Sequence, residues 1–432
     1  MSQTPRYYAR LASSIVSGLA LAVVLPVMAE ETQAPEPVPP PAGVAPARVL
    51  TLAECIRLAQ DQQPILAAQR ASLSAALTQQ QSLNALGAVA RLGNPDLPIR
   101  RQQACVGVSI AEAGLRQAEL EWQYNVTRLY FTVLYARAQR QAAEDVAGQF
   151  EFYYKTVSEG IKKPGAPKEW TSSTVDKLNV YNRLALAKKE EANAGIDRAT
   201  AALREAMGCP TMTFQIAEGD LPEPPSPKLN KDELVAMAQA LRGEVTMSCK
   251  LAEVFDLEVA AQGKHCMPGQ VPTFASGGDI HARQVPGDRI NGDYLPGTLP
   301  PEMPPFLVGS KAMRQQRAHD LATRAHALAD KTRNLIVLEA ENYYFRTLES
   351  QRKVEILREA SKAGVTLSEE TRKGFAGGQN VKIDDVLSTE VVSAQARSQL
   401  NEAHWQYLLN LAALERVTGG GFIAGITDAV KK

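Results

Sequence analysis

His319 and His326 stand seven residues apart on a stretch of helical periodicity, with Asp330 nearby. Imidazole and carboxylate groups at such spacing are the raw material of a metal site, but the pattern is weak. A solvated or packed histidine is the better reading for this pair, for the adjacent His265 and Cys266, and for His281 and His404. The five cysteines, Cys55, Cys105, Cys209, Cys249 and Cys266, are scattered without a CxxC pair, and an odd count leaves at least one unpaired. They read as small apolar residues, neither a disulfide framework nor a metal site. Glycine-rich phosphate loops in strand-helix context, GxSxG and HExxH are missing. The expectation is a protein that is not an enzyme and uses no cofactor or metal. With 47 basic and 47 acidic residues in balance, and no basic stripe interleaved with aromatics, nucleic acid is excluded as a partner.

Function must then lie in the architecture. Arg6 and Arg10 precede the apolar run LASSIVSGLALAVVLPVMA, which closes on Val27-Met28-Ala29, the small-x-small pattern that signal peptidase accepts. Residues 1–29 read as a cleaved secretory signal, with an uncleaved anchor as the alternative. A proline-rich linker follows over 30–48, too poor in apolar residues to pack a core. No later window is long and apolar enough for a transmembrane helix.

Three blocks recur in one order. TLAECIRLAQDQQPILAA from Thr51 matches NKDELVAMAQALRGEVTM from Asn230 at an offset of 179; Tyr130-Phe131 with Leu134 falls on Tyr344-Phe345 with Leu348 at 214; ATAALREAMG falls on NLAALERVTG at 211. The chain is an internal duplication. It divides into a first repeat over 49–209, a linker over 210–229, a second repeat over 230–420 and a tail over 421–432. Between the first and second blocks the offset grows by 35 (214 minus 179), which puts an insertion, rich in proline and glycine, at 264–309 of the second repeat.

Within each half the period is helical. Val146, Phe150, Tyr153 and Val157 form one apolar stripe, and Ile196, Ala199, Leu203 and Ala206 another. Leu321, Leu328 and Leu335 recur every seven residues, as do Leu338 and Phe345, which suits coiled-coil contact. No proline interrupts the run from about Ser310 to Arg372, so that helix would be roughly 90 Å long. Its partner is a helix near 383–417; in the first half the pair is near 111–159 and 171–207. Tyr343, Tyr344 and Phe345 read as helix-packing residues. The turns EGIKKPGAPKEW and KGFAGGQNVKIDD join the long helices and form the hairpin tips.

The order of these blocks, their duplication and the signal peptide resemble the TolC-like outer-membrane efflux proteins, the exit ducts of tripartite pumps and type I secretion systems. The carriers are LTLAECIRLAQDQQPIL, the Tyr130 and Tyr344 blocks, and the turn and helix from Gly374 to Gly419. The resemblance implies a mainly α fold: duplicated long hairpins forming a coiled-coil α-barrel in a homotrimer, capped in the family by a twelve-stranded β-barrel in the outer membrane. It implies a passive conduit for small molecules or proteins, located in the outer membrane and periplasm after signal cleavage, with a periplasmic adaptor and an inner-membrane transporter as partners. It marks Asp385, with its neighbour Asp384, as candidate gate residues at the pore entrance, because Phe375, Gly378 and Asp385-Val386-Leu387 fit the family's tip. A threefold axis would turn one Asp into a ring of three that favours cations; capping the first turn of a helix is the competing role. Lys162, Lys163, Lys168, Phe375, Gly378 and Gln379 are the candidate adaptor-docking residues.

The membrane part departs from the family. A barrel strand needs ~9 to 11 alternating residues, yet the first repeat offers only Ala104 to Ile110, within an insertion near 92–110. Eight prolines lie between Pro268 and Pro305 of the second, leaving PTFASGGDIHARQV as the single plausible strand. The β insertions are expected to be small or degenerate. The runner-up function is therefore a periplasmic coiled-coil structural or adaptor protein that kept the helices and lost the pore.

Overall fold

Thr51 starts the first helix with a reciprocal cap: its Oγ1 accepts from the Glu54 amide at 3.4 Å, while Glu54 accepts from the Thr51 amide at 2.9 Å. From there a computed structural model describes residues 48–163, 170–217, 221–264, 310–377 and 381–426. The chain divides into two units, Met1–Pro46 and Ala47–Lys432. The first unit, with the expected signal and most of the linker, lies outside the described residues. So do Lys168, Gly378, Gln379, residues 265–309 with their expected strand, and the end of the tail.

The first repeat runs β1 (Arg48–Leu50), α1 (Leu52–Gln62), α2 (Pro64–Ala85), α3 (Ala88–Gly93), α4 (Leu97–Gly160) and α5 (Ser172–Ala206). The second runs β2 (Phe214–Ile216), α6 (Lys231–Leu241), α7 (Gly243–Lys264), α8 (Lys311–Ala376) and α9 (Ile383–Val417). The duplication holds to the residue. α1 and α6 have 11 residues each, α2 and α7 22, α5 and α9 35, and α4 and α8 64 and 66. At ~1.5 Å per residue α4 and α8 are about 100 Å long. Each packs against its own hairpin partner, α5 or α9, and against the short helices, α4 on α2 and α7, α8 on α7 and α6.

The joints are duplicated too. Gln63, between α1 and α2, donates its side-chain amide to the carbonyls of Glu205 and Ala206 at the end of α5 (3.0 and 3.1 Å). Arg242, between α6 and α7, donates to the Val417 carbonyl at the end of α9 (3.4 Å). The glycine that ends each hairpin, Gly208 or Gly419, has φ of +72° or +66°, and a Cβ there would lie 2.5 Å from Gln62 O or 2.8 Å from Leu241 C. Only glycine meets both demands. In the second repeat this joint carries a buried ionic cluster. Arg242 reaches Glu244 at 2.8 Å and Glu339 at 3.0 Å, and Arg416 reaches Glu339 at 2.5 Å while lying over the Tyr124 ring.

Several sequence readings need correction. The strand expected near 92–110 is helix: α3, a short turn, then α4. Val106, Val108 and Ile110 alternate locally, but contacts distant in sequence decide the conformation. The Gln103 side chain donates to the Val254 carbonyl at 3.1 Å and to Glu258 at 3.0 Å, and Arg100 bridges Asp96 and Glu258. The linker at 210–229 contains β2, which pairs in parallel with β1, Leu50 opposite Ile216. Three residues are too few for a pattern to show. The tail from 421 packs back, burying Ala424 and Ile426. Of the heptad residues, Leu328 and Leu335 are buried, whereas Leu338 and Phe345 are exposed. Cys55 is buried and Cys105 exposed, and the four described cysteines are free.

Truncating Arg242 to Ala strands Glu244 and one oxygen of Glu339 in the interior, an expected loss of about 3 to 5 kcal/mol. Gln63→Ala leaves carbonyls unsatisfied without a stranded charge and should cost about 1 to 3 kcal/mol. Urea unfolding followed by far-ultraviolet circular dichroism measures both; equal losses would show that the cluster adds nothing to the joint.

Candidate functional site at the hairpin tips

The two hairpin tips meet at one end of the described body. Ala147, Phe150, Tyr153 and Val157 of α4, Leu178 of α5, and Ile383, Val386 and Leu387 of α9 form one buried cluster, with Ile161, Trp170 and Phe375 packed against it. The stripe read from α4 therefore holds the first hairpin to the second as well as closing the first. Phe375 lies edge-on to Tyr153 with ring centroids 6.4 Å apart, and burial pushes the Tyr153 hydroxyl above its ordinary pKa.

Each tip has its own local cause. In the first, the Trp170 ring lies against Gly160 so closely that any Cβ there would collide with it. Thr171 and Thr174 then cap α5 reciprocally at 3.3 and 3.4 Å. Lys162 and Lys163 follow α4 and are exposed. In the second, α9 starts at Ile383, and Asp385 accepts from the Lys382 amide at 3.2 Å. Its carboxylate thus serves its own helix terminus, where negative charge is favoured. Asp384 pairs with Lys177 of α5 at 3.1 Å, both exposed, an ion pair that ties the tips together. Such exposed pairs hold position more than they stabilise.

A few turns above the tips lies a set of residues that sequence reading missed. Glu390 of α9 is buried and receives Arg372 of α8 at 2.6 Å; this partnership holds the guanidinium above its ordinary pKa. Tyr153 and Gln149 of α4 face the same pair. Arg372 and Glu390 are 18 apart in sequence across a turn, a separation that no helical period signals.

Of the sequence-expected residues, Lys162, Lys163, Phe375, Asp384 and Asp385 are thus gathered at one end. His319 and His326 do not converge: His326 pairs with Asp256 of α7 at 2.9 Å. Among the described residues no group of histidine, cysteine or acidic side chains could hold a metal ion, and no helix is long and apolar enough to cross a membrane.

Two long antiparallel hairpins, duplicated and joined by short helices, define a fold of channel-forming proteins. No family model and no curated protein matches the chain in sequence. Solved structures do match. CmeC, an outer membrane channel of Campylobacter jejuni, superposes with a TM-score of 0.64 at 13% identity over 88% of this chain and 89% of its own. For VceC, an outer membrane protein of Vibrio cholerae, the values are 0.64, 14%, 86% and 97%. For the open state of the MtrE outer membrane channel of Neisseria gonorrhoeae they are 0.60, 17%, 88% and 94%. The chain has the TolC-like fold of these outer-membrane channels.

Removing Arg372 leaves Glu390 buried without its cation, so Arg372→Ala should loosen the first turns of α9, whereas Glu390→Gln should loosen them less. Hydrogen exchange of residues 383–393 reads the difference; protection unchanged in Arg372→Ala would show the pair to be dispensable.

Proposed function

We propose that three copies of this chain assemble into a helical tube that serves as a passive conduit in an efflux or secretion assembly of the cell envelope. One observation carries the reading. Phe131 is fully buried, yet its counterpart in the second repeat, Phe345, is 57% exposed. It belongs to an open apolar stripe along α8 that includes Leu338, Ile356 and Leu367, and α5 leaves Val180 and Leu184 open in the same way. Apolar residues left uncovered along helices about 100 Å long suit edge-to-edge packing of copies. The fold shared with outer-membrane channels supports the tube that such packing would close.

On this reading the tips face the periplasm. Lys162, Lys163 and Lys168 in one turn, and Phe375, Gly378 and Gln379 in the other, dock an adaptor that leads to an inner-membrane transporter. Asp384 and Asp385 line the entrance. A capping bond uses one oxygen of Asp385 and is compatible with a ring of three carboxylates at the axis.

A specific observation favours the second reading, a scaffold without a pore. The connection from α2 to α4 spans only residues 86–96 and is built as α3 and a turn. A spanning strand takes ~9 to 11 residues, so the first repeat has no room for a strand pair. Were residues 265–309 to supply two strands, three copies would offer six, fewer than the smallest natural barrel of about eight.

Light scattering of the purified chain in buffer and in mild detergent should give a trimer, and a monomer in both would overturn the tube. In planar bilayers, alone and with outer-membrane extract, wild-type trimers should conduct. Asp385→Asn should then reduce cation preference with little effect on folding, since the residue is exposed. Conductance with unchanged selectivity would discard Asp385 as the gate. A well-folded trimer that never conducts would establish the scaffold.

A further inference from the structure

The opposite end of the long helices carries a surface that neither hairpin tips nor stripes explain. Arg101 of α4 donates to the carbonyls of Leu83 and Leu86 at the end of α2 (2.9 and 2.5 Å), Arg100 bridges to Glu258 of α7, and Arg314 of α8 donates to Gln262 of α7 at 3.3 Å. These bonds gather the end of α2, the start of α4, the end of α7 and the start of α8 in one place, with α3 between the first two. Beside this buried polar network, large apolar side chains stand in the open. Leu92 is 86% exposed, Met313 64% and Leu86 43%.

The charges there are segregated by sign. Over residues 83–95 the only charged residue is Arg91, and it is exposed. The last turn of α7 contributes exposed Lys264, and the first turn of α8 contributes Lys311. The acids of this end, Asp96 and Glu258, are both buried and tied to Arg100. What faces outward is cationic and apolar, with no exposed acid on these segments.

We infer that this end, through Leu86, Arg91, Leu92 and Met313, is a peripheral docking surface for the anionic headgroup layer of a membrane. Leucine and methionine beside arginine and lysine match a layer that is phosphate-bearing outside and acyl inside. A second copy meeting this face end to end would set like charges against each other. A spanning role is closed to the first repeat by the length of its connection. The contact is therefore shallow, reversible and sensitive to salt. Lipid binding is read without conductance, so its failure leaves the conduit standing, and a non-conducting trimer leaves the lipid contact standing.

The test is flotation of the purified full chain with vesicles of phosphatidylglycerol and phosphatidylethanolamine, against vesicles of phosphatidylcholine alone. The wild type should float with the anionic vesicles and be released by high salt. Arg91→Glu combined with Leu92→Asp should weaken binding about tenfold or more, because the pair of substitutions reverses a cation and removes an apolar side chain from the acyl layer. Ile423→Asp, at a residue 79% exposed in the tail, should bind as wild type, as should a chain with residues 268–306 replaced by a short glycine-serine linker. Circular dichroism confirms folding of each variant. Four results would overturn the assignment: no flotation of the wild type, undiminished binding of the double variant, binding lost only with the 268–306 replacement, or protein that resists both salt and alkaline carbonate and so spans the bilayer.

Discussion

Everything in this fold hangs on the bond between the joint of each short-helix pair and the carboxyl end of the same repeat's last helix. Two helices about 100 Å long gain little from their own termini and must be aligned by something fixed along their length. Gln63 and Arg242 supply that fixture, each satisfying carbonyls that a helix end leaves without partners. Gly208 and Gly419 let the chain pass within contact of the same joint. With the last helix anchored there, its apolar stripe meets the long helix in one register only, and the tip falls where that register puts it.

The two joints reach this end by unlike chemistry. The first is neutral and is covered by the β1 and β2 pair with its cluster around Tyr130, Phe131 and Tyr407. The second buries two arginines and two glutamates, with Arg416 lying over Tyr124 and Tyr343. A buried network of this kind is sensitive to the loss of any member, and it fixes geometry more than it adds net stability. The repeats thus share a backbone plan while differing in what covers it. That difference leaves Phe345 open where Phe131 is closed.

Much of this plan was legible in the residues. The three offsets 179, 214 and 211 map α1 onto α6, α4 onto α8 and α5 onto α9, because helix ends are marked locally by caps, prolines and glycines that duplicate with the sequence. The stripe through Phe150 and Tyr153 was readable for the same reason: a 3.6-residue period is a local property. What was not legible depends on contacts across the chain. Val106-Gly107-Val108 looks like a strand until Gln103 finds Val254 and Glu258 on another helix. The β1 and β2 pair joins segments more than 160 residues apart and three residues long. The heptad spacing of Leu338 and Phe345 announces a helix face without saying whether this chain covers it. At the tip, Asp385 was recognisable as acid ahead of Val-Leu, but its bond to Lys382 and the Arg372 and Glu390 pair emerge only in three dimensions.

The near-equal lengths of α4 and α8, 64 and 66 residues, bring both hairpins to almost the same height. In a ring of three copies this makes six tips of one contour but two compositions: Lys162 and Lys163 on one, Asp384 and Asp385 set against Lys373 and Lys382 on the other. A partner that reads contour meets six seats. One that reads charge meets three, so the stoichiometry of whatever docks there is written in the composition of the turns, while the lengths of the helices merely keep the seats level.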